Sequence, residues 1–263
     1  MSTADPPPLQ AAYRDASFME GDDARPLRIL AEYIAPMSAF ERERITDTIV
    51  FFGSARIRPD GPLGKYYEAA RETARLVTAW SKGLASHAHR YVVCTGGGPG
   101  IMEAANRGAS EAAGITVGLN IGLPHEQRPN PYITRGLSFE FHYFFMRKLW
   151  FALLARALVV FPGGFGTLDE MFEVLTLMQT RKVDRRIPVV LYGSEYWNEV
   201  VNFEALVKHG TIDREDLALF HHADDPATVL AILQAGIHAE VEGECPDIAH
   251  SRTPHDTQGQ APR

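Results

Sequence analysis

The sequence predicts an α/β fold, in which a doubly wound parallel sheet lies between two layers of helices, a three-layer α/β/α arrangement. Three observations lead to this prediction. Short apolar runs without polar alternation recur along the chain, which is typical of strands buried on both faces. Helical patterns alternate with these runs, and such an alternation makes neighbouring strands parallel. Three of the runs end in glycine-rich turns, as strands of Rossmann-like sheets do where they meet a ligand.

The strands and helices follow one another from about residue 46 to residue 240. Each strand is predicted from a short apolar run, and the six runs are, in chain order, TIVFFGSAR, RYVVCTGGG, ITVGLNIGL, ALVVFPGG, IPVVLYG and DLALFHHADD. Each helix is predicted from apolar residues three and four positions apart, and the six segments are KYYEAARETARLVTAWS, PGIMEAANRGASEAAG, LSFEFHYFFMRKLWFALLAR, TLDEMFEVLTLMQT, EYWNEVVNFEALVKHG and PATVLAILQAGIHAE. The glycine that closes the second of these segments is a typical helix end.

Three segments are predicted along the chain. Residues 1–45 form an N-terminal extension that is helical in part and begins with a proline-rich stretch. Residues 46–240 form the Rossmann-like domain, which is expected to carry the nucleotide-binding and catalytic groups. Residues 241–263 are polar with scattered proline and glycine, so they are predicted to be a disordered tail.

Composition and charge narrow the classes of function. The chain has 263 residues, of which 45% are hydrophobic and 22% charged, as in an ordinary globular protein with a sizeable core. The net charge of -7 argues against nucleic-acid and membrane-surface binding, because both require a basic surface. Cys94 and Cys245 form neither a disulfide framework nor a metal-binding spacing. Because the sequence shows no signal peptide and no apolar run of about 20 residues, a cytoplasmic protein without a metal ion is expected.

Three glycine loops carry the functional signal. They are FFGSAR, CTGGGPGIM and FPGGFGT, and each follows an apolar strand and precedes a helix. Because the strands are predicted to be parallel, the loops are expected at one edge of the sheet, where helix N-termini attract phosphate. A single loop of this kind is equally well explained by a tight turn that requires glycine. Three at one edge favour a nucleotide site, with Gly53, Ser54, Gly97 and Gly98 among the candidate contacts.

The glycine loops differ from two other nucleotide-binding motifs. TGGGPGIM is not a GxGxxG motif after the first strand, and no acidic residue ends a following strand to hold a ribose. This disfavours an NAD(P)-dependent oxidoreductase. PGGFGT has no lysine in the P-loop position and no downstream carboxylate for magnesium, which disfavours hydrolysis of nucleoside triphosphates.

Glu170 is an unexpected residue beside a phosphate cradle, because a carboxylate repels phosphate. One interpretation is structural: if Thr167 caps the helix, Glu170 three residues later completes a capping box. The other is functional. Glu170, Glu173 and Thr176 lie about one turn apart on the same face, which is polar where a packed helix would be apolar. This polar face favours a ligand pocket, whereas Asp169 is expected to interact with the helix dipole.

The segment from Ser138 to Arg156 is predicted as one long helix that is apolar nearly all round. Such a helix is buried on more than one side, either within the core or against a second subunit. Arg147 and Lys148 lie inside it. One interpretation, which the pattern slightly favours, is that both charges reach solvent on their long side chains. The other is that Arg147 faces the ligand edge and contacts phosphate or Glu170.

The loop LPHEQRPNPYITRG follows the third predicted strand and is also expected at the ligand edge. Glu126, Arg128 and Asn130 are candidates for lining a site there, although a solvated loop explains them equally well. His125 and His142 have no partner at metal-binding spacing and are interpreted as ordinary hydrogen-bonding residues.

The motifs PGGFGTLDE, the upstream RK and GGGPGIMEAAN together resemble the LOG family. Its members are cytokinin riboside 5'-monophosphate phosphoribohydrolases, long mislabelled as lysine decarboxylases. The resemblance covers about residues 47–225, and GSAR in the first strand and the long termini are similar to the type II bacterial members. It implies a Rossmann-like fold, no cofactor, and a homodimer or higher homo-oligomer with the site near the dimer interface.

The resemblance also implies roles for particular residues. Arg147 of MRK and Glu170 of PGGFGTLDE would form the catalytic pair, with the carboxylate acting on an oxocarbenium-like sugar. The implied ligand contacts are Glu126, Lys148, Gly163, Gly164, Phe165, Gly166, Thr167, Leu168, Asp169 and Thr176, and Glu173 joins them from the polar face of the same helix.

Two classes of function therefore compete, with the oxidoreductase a disfavoured third. The first is an N-glycosidase that hydrolyses AMP, and N6-modified AMP such as isopentenyl-AMP, to the free base and ribose 5-phosphate, as in cytokinin activation. The second is a non-catalytic carrier of a nucleotide or of the molybdenum cofactor with the same fold. A carrier does not need Arg147 and Glu170, so this pair separates the two hypotheses.

Overall fold

The computed structural model describes residues 10–84, 86–122, 128–182 and 187–243. Its centre is a sheet of seven parallel strands, which confirms the predicted α/β fold. The strands are β1 (Thr48–Phe52), β2 (Val92–Thr95), β3 (Thr116–Ile121), β4 (Ser138–Phe141), β5 (Ala155–Val160), β6 (Val189–Tyr192) and β7 (Phe220–Ala223). They lie in the order β4-β3-β2-β1-β5-β6-β7. The order reverses beside β1, and such a reversal opens a crevice at the carboxyl ends of the strands.

Helices cover both faces of the sheet. The α-helices are α1 (Ala16–Glu20), α2 (Arg25–Arg42), α3 (Gly64–Lys82), α4 (Ile101–Glu111), α5 (Phe144–Leu154), α6 (Phe165–Gln179), α7 (Ser194–Val200), α8 (Phe203–Lys208) and α9 (Pro226–Gly243). Alternate side chains of β1 enter two cores. Ile49 and Phe51 pack in the core shared with α3, α4 and α9, whereas Val50 and Phe52 pack in the core shared with α2, α5 and α6. The three-layer arrangement follows from this alternation.

The predicted long helix from residue 138 to residue 156 is wrong, because it contains a strand that the sequence analysis missed. The first residues of this segment form β4, which pairs with β3. The Asn120 amide of β3 donates to Ser138 Oγ and to the Phe139 carbonyl, both at 3.1 Å. Only the central part forms α5, and Ala155 and Arg156 begin β5. The segment is rich in aromatic residues throughout, so its apolar pattern did not separate the strand from the helix.

The predicted helix over EYWNEVVNFEALVKHG is also divided in two. Val201 has an extended backbone and ends α7. Asn202 then starts α8, since its side chain accepts a hydrogen bond from the Ala205 N–H at 2.9 Å. An asparagine at this position satisfies an N–H group that a new helix leaves unpaired.

Helix α2, from the predicted N-terminal extension, packs against α5 and the edge of the sheet. An aromatic cluster joins these elements and consists of Tyr33 and Phe40 from α2, Phe139 from β4 and Trp150 from α5. The ring centroids of Tyr33 and Phe40 lie 5.5 Å and 5.3 Å from that of Trp150, and Phe40 lies 5.5 Å from Phe139. The domain boundary at residue 45 stays a prediction. Ala39 and Phe40 of α2 come before this boundary and belong to the same hydrophobic core as the sheet.

Residues 10–84, 86–122, 128–182 and 187–243 contain neither a membrane-spanning helix nor a metal-binding group of side chains. None of the helices there is both long enough and apolar enough to cross a membrane. No group of three or more His, Cys, Asp and Glu side chains in these ranges is arranged to hold a metal ion.

Asp47 ties three strands together at the amino-terminal edge of the sheet. Its carboxylate is 3% exposed and accepts hydrogen bonds from Arg90 Nε at 2.7 Å and Arg156 Nε at 2.6 Å. Asp47 comes directly before β1, Arg90 comes shortly before β2, and Arg156 lies in β5. Burial by itself would raise the pKa of Asp47, but the two guanidinium groups outweigh it and hold the pKa below its ordinary value.

We expect Asp47→Asn to lower the free energy of unfolding at pH 7 by about 2 kcal/mol, because one of the two arginines loses its acceptor and both lose the opposite charge. The depressed pKa means that Asp47 stabilises the fold above its unfolded pKa of about 4 and loses this effect as the pH falls through the lower folded value. The difference between variant and wild type should therefore shrink at acidic pH. Urea denaturation at pH 7 and pH 3 measures it, with the exposed Asp60→Asn as control. An equal difference at both pH values would contradict this account.

Candidate functional site

A cavity of about 780 Å³ lies at the carboxyl ends of β1 and β5, in the crevice where the strand order reverses. All three glycine loops reach it, as the sequence analysis expected. Its described lining residues are Phe52, Gly53, Ser54, Ala55, Arg56, Gly96, Met102, Arg147, Phe151, Gly163, Gly164, Phe165, Gly166, Thr167, Leu168, Glu170, Tyr196 and Val200.

Backbone hydrogen bonds hold the glycine loops against one another. The Ser54 N–H donates to the Pro162 carbonyl at 3.0 Å, and the Ile101 N–H donates to the Ser54 carbonyl at 3.1 Å. Gly100 has a φ of +69°, and a Cβ there would overlap the Ser54 carbonyl. Glycine is required at this position both for its conformation and for the close approach of two loops.

The α6 N-terminus is open towards the cavity. Gly164 is its N-cap, and no side chain caps it. A Cβ on Gly164 or on Gly166 would meet no atom within 4 Å, so packing within the protein does not explain these two glycines. They leave the first N–H groups of α6 accessible, and these N–H groups together with the positive end of the helix dipole are suited to an anion.

Gly163 has a different role from the two open glycines. A Cβ on Gly163 would overlap the side chain of Thr167, which is buried. The Gly163 carbonyl also accepts a hydrogen bond from Tyr196 Oη at 2.9 Å. Gly163 therefore lets the loop turn closely over the start of α6.

The capping-box interpretation of Thr167 and Glu170 is wrong. α6 begins at Phe165, so Thr167 is the third helical residue and Glu170 lies a further turn along. Gly164 serves as the N-cap, three positions before the Thr167 that the sequence pattern suggests, because its backbone takes a non-helical conformation at the start of the helix. Glu170 is thus free of a capping role.

Arg147 and Glu170 form a nearly buried ion pair at the cavity wall. Arg147 Nη2 donates to Glu170 Oε1 at 2.6 Å, and Glu170 is 5% exposed. The Arg147 guanidinium lies over the rings of Phe144 and Phe151, at 5.2 Å and 5.7 Å, and its Nε has no hydrogen-bond partner in the described part of the chain. The slight preference for Arg147 reaching solvent is therefore wrong, because the side chain turns inward to Glu170.

The pKa of Glu170 is raised above its ordinary value, mainly because the side chain is buried. The charges of Arg147 and, more weakly, Lys148 oppose this effect, and Glu173 reinforces it. A carboxylate with a raised pKa, one cationic partner and a place on a cavity wall is typical of a catalytic site.

Lys148, the next residue on α5, forms an ion cluster with two other carboxylates. Its Nζ lies 2.8 Å from Asp169 Oδ1 and 2.8 Å from Glu173 Oε2. Burial by itself would lower the pKa of Lys148, but the two carboxylates outweigh it and raise the pKa. The three charges satisfy one another beside the cavity, and none of these residues is among its lining.

The predicted site residues thus fall into three groups. The cavity brings together Gly53, Ser54, Arg147, Gly163, Gly164, Phe165, Gly166, Thr167, Leu168 and Glu170. Gly97, Gly98, Lys148, Asp169, Glu173 and Thr176 are described but do not belong to the cavity lining. Glu126 lies outside the described residues.

Gly97 and Gly98 belong to a buried polar network behind the cavity. Their carbonyls both accept from Asn130 Nδ2 at 3.1 Å, and the same amide donates to Asn106 Oδ1 at 2.8 Å. Asn106 also accepts from Thr95 Oγ1 at 2.7 Å. Asn130, a candidate for lining the site, instead holds the second glycine loop in place, because its polar atoms are satisfied within the protein.

Eight lining residues were not among the predicted site residues. Three of them, Phe52, Ala55 and Gly96, lie in the predicted glycine loops, and the other five do not follow from one motif. Arg56, Met102, Phe151, Tyr196 and Val200 come from four different parts of the chain. Only Arg56 carried a usable signal, since it ends the GSAR stretch at a predicted strand end. The others reach the cavity through packing of helices α4, α5 and α7, which no local motif specifies.

A family model described as "possible lysine decarboxylase" matches residues 102–233. The pyrimidine/purine nucleotide 5'-monophosphate nucleosidase of Escherichia coli strain K12 is 31% identical over 116 residues, which cover 38% of this chain and 24% of that protein. The same enzyme from strains O6:H1 and O157:H7 matches equally. The match therefore spans about a quarter of the length of these curated relatives.

Two solved structures are similar to this chain, and one of them has a TM-score above 0.5. The crystal structure of the structural-genomics target TM1055 has a TM-score of 0.52 and 21% identity, and covers 72% of this chain and 99% of its own. The molybdenum-cofactor carrier protein of Chlamydomonas reinhardtii has a TM-score of 0.48 and 24% identity, and covers 74% of this chain and 98% of its own. The likeness to TM1055 agrees with the seven-stranded α/β sheet.

The two kinds of glycine at the α6 N-terminus make a matched pair of tests. Gly166→Ala should leave stability within about 1 kcal/mol of wild type, since the position is helical and open, but should weaken AMP binding on the order of tenfold. Gly163→Ala should lower the free energy of unfolding by about 2 kcal/mol through overlap with Thr167. Urea denaturation and calorimetric titration with AMP measure the two effects. Unchanged AMP binding by Gly166→Ala would show that the open cradle does not contact the ligand.

Proposed function

The chain belongs to the LOG family, whose model is described as "possible lysine decarboxylase", and from this premise we propose that it is a nucleoside 5'-monophosphate N-glycosidase. It hydrolyses AMP, and N6-modified AMP such as isopentenyl-AMP, to the free base and ribose 5-phosphate. The Escherichia coli relatives are pyrimidine/purine nucleotide 5'-monophosphate nucleosidases, and their activity supports this reaction class.

The observation that carries the proposal is the buried Arg147–Glu170 pair beside the uncapped α6 N-terminus. The 5'-phosphate binds at this N-terminus, against the open backbone of Gly164 and Gly166. The carboxylate of Glu170 lies on the same cavity wall, where it faces the sugar of a nucleotide held in this way. Phosphate binding alone does not require a carboxylate there.

The reaction breaks the bond between ribose C1' and the base nitrogen, and the base leaves with the bonding electrons and takes up a proton. In the overall reaction, water supplies this proton and its hydroxyl group goes to C1'. The sugar then develops an oxocarbenium-like positive charge. Ionised Glu170 stabilises this charge and takes a proton from the attacking water, whose oxygen forms the new bond to C1'. Arg147 orients the carboxylate and favours its ionised form against the effect of burial. No cofactor takes part in these steps.

The substrate is a purine nucleotide in this proposal because the cavity combines the phosphate cradle with apolar walls. Met102, Phe151 and Val200 line it, and Phe165 is 93% exposed at the start of α6. Apolar and aromatic side chains accept the flat face of a base and an apolar N6 substituent. A cytoplasmic location and a role in cytokinin activation stay predictions.

A second copy of the chain covers the outer face of α5 in this proposal, which makes the protein a homodimer or a higher homo-oligomer. Phe144, Phe145, Leu149 and Leu153 are all on α5, and each is about two fifths to one half exposed. Phe145, Leu149 and Leu153 are four positions apart, so they lie on one side of the helix, and an exposed apolar patch is typical of an interface. The same helix carries Arg147, so the site lies near the contact between subunits.

We expect Glu170→Ala and Glu170→Gln to fold and to lose turnover, because each removes the charge that stabilises the transition state. The loss should be at least on the order of a hundredfold in kcat. Purified wild type and variants are incubated with AMP and isopentenyl-AMP, and the products are separated by chromatography. Glu199→Gln on α7, an exposed residue outside the cavity lining, is the matched control and should retain activity.

The outcome separates the glycosidase from a carrier. Free base and ribose 5-phosphate from wild type and from Glu199→Gln, but not from the Glu170 variants, support the proposal. Intact nucleotide after long incubation, with binding still detectable, contradicts it and favours a non-catalytic nucleotide or molybdenum-cofactor carrier.

For the oligomer, we expect wild type to sediment as a dimer or larger species and Leu149→Glu to shift towards the monomer, since a charge in an apolar contact is costly. Sedimentation velocity over a range of protein concentrations measures this. Leu63→Glu, at another exposed leucine far from α5 in the chain, is the control. A monomeric wild type would rule out the proposed contact.

A further inference from the structure

We infer that Glu32, on the N-terminal helix α2, is a positioning residue for the Arg147–Glu170 pair. The inference rests on the proposed function, because it concerns the same site. Glu32 lies far from the cavity in sequence and is absent from its lining, so it acts through the helix that carries Arg147.

The first step is the contact between Glu32 and the start of α5. The Glu32 carboxylate accepts the His142 N–H at 2.8 Å with one oxygen and the Tyr143 N–H at 3.3 Å with the other. Tyr143 is the N-cap of α5, where no local side-chain cap exists and the first turn contains no acidic residue. The negative charge that a helix N-terminus favours is therefore supplied by a different element.

The second step connects this cap to the ion pair. The Tyr143 carbonyl accepts the Arg147 N–H at 3.3 Å, in the first turn of α5. The Arg147 guanidinium then donates to Glu170 at 2.6 Å. Three successive hydrogen-bonded contacts thus lead from the carboxylate of Glu32 to that of Glu170.

The third step shows that Glu32 is itself held in place. Its backbone carbonyl accepts Trp150 Nε1 at 3.1 Å, and Trp150 belongs to the aromatic cluster between α2 and α5. One turn earlier on α2, Arg28 Nε donates to the Tyr143 hydroxyl at 3.3 Å. α2 therefore binds both the first turn and the middle of α5, which fixes the helix along its length.

Loss of the Glu32 carboxylate would leave two N–H groups without their acceptor and loosen the first turn of α5. The charged groups around Glu170 are Arg147 and Lys148 from α5, Glu173 from α6, and Arg56 on the same cavity wall. Of these, Arg147 opposes the effect of burial most strongly. Its displacement would raise the pH at which Glu170 protonates, so the acidic limb of the pH–rate profile would move to higher pH.

The test compares Glu32→Ala and Glu32→Gln with two controls. Glu41→Gln alters an exposed residue of the same helix, and Asp47→Asn reduces stability at the opposite edge of the sheet. We expect Glu32→Ala to lower kcat for AMP on the order of tenfold, to move the acidic limb to higher pH and to speed hydrogen exchange at amides 142–147. Glu32→Gln keeps one acceptor oxygen and should fall between Glu32→Ala and wild type. Both controls should keep the acidic limb of the pH–rate profile and the hydrogen exchange at amides 142–147 as they are in wild type.

Two outcomes would overturn the inference. One is wild-type hydrogen exchange at amides 142–147 in Glu32→Ala. The other is an activity loss in Glu32→Ala without any shift of the acidic limb, together with the same activity loss in Asp47→Asn when both variants are destabilised equally. That result would indicate a merely structural role. If wild type does not cleave AMP, the proposed function fails, and hydrogen exchange still decides whether Glu32 holds the α5 turn.

Discussion

The burial of one carboxylate constrains the geometry of this protein more than any other single feature. Glu170 on α6 is almost fully buried, and a buried charge requires a partner of opposite sign. Arg147 supplies it from α5, so the two helices must keep a fixed distance and orientation. The glycine loops, the capped start of α5 and the α2 contact all maintain the surroundings of this pair.

Rigidity at both edges of the sheet supports the pair. At the amino-terminal edge, Asp47 joins β1, β2 and β5 through two arginines. At the carboxyl edge, Ser54 links the loops after β1, β2 and β5 through backbone hydrogen bonds. The same three parts of the sheet are therefore tied at both ends. A cavity built on such elements can hold a ligand with little reorganisation, which is what electrostatic stabilisation of a transition state requires.

The charges near the cavity are divided between two roles. Lys148, Asp169 and Glu173 compensate one another beside the cavity, whereas Arg147 and Glu170 face it. Adjacent residues on α5 and on α6 thus belong to different clusters, because successive helical positions point about 100° apart. This division explains why these five predicted residues contribute only two side chains, those of Arg147 and Glu170, to the cavity wall.

The sequence by itself determined the α/β class, the parallel sheet, the meeting of three glycine loops at one edge and the candidacy of Arg147 and Glu170. These features depend on local periodicity and on motifs, which are readable along the chain. Only the tertiary structure decided that β4 precedes α5, that Thr167 is not a cap, that Asn130 holds a loop and that Glu32 caps α5. Each of these depends on which distant residue satisfies a hydrogen-bonding group or an apolar face, and sequence spacing carries no information about such long-range partners.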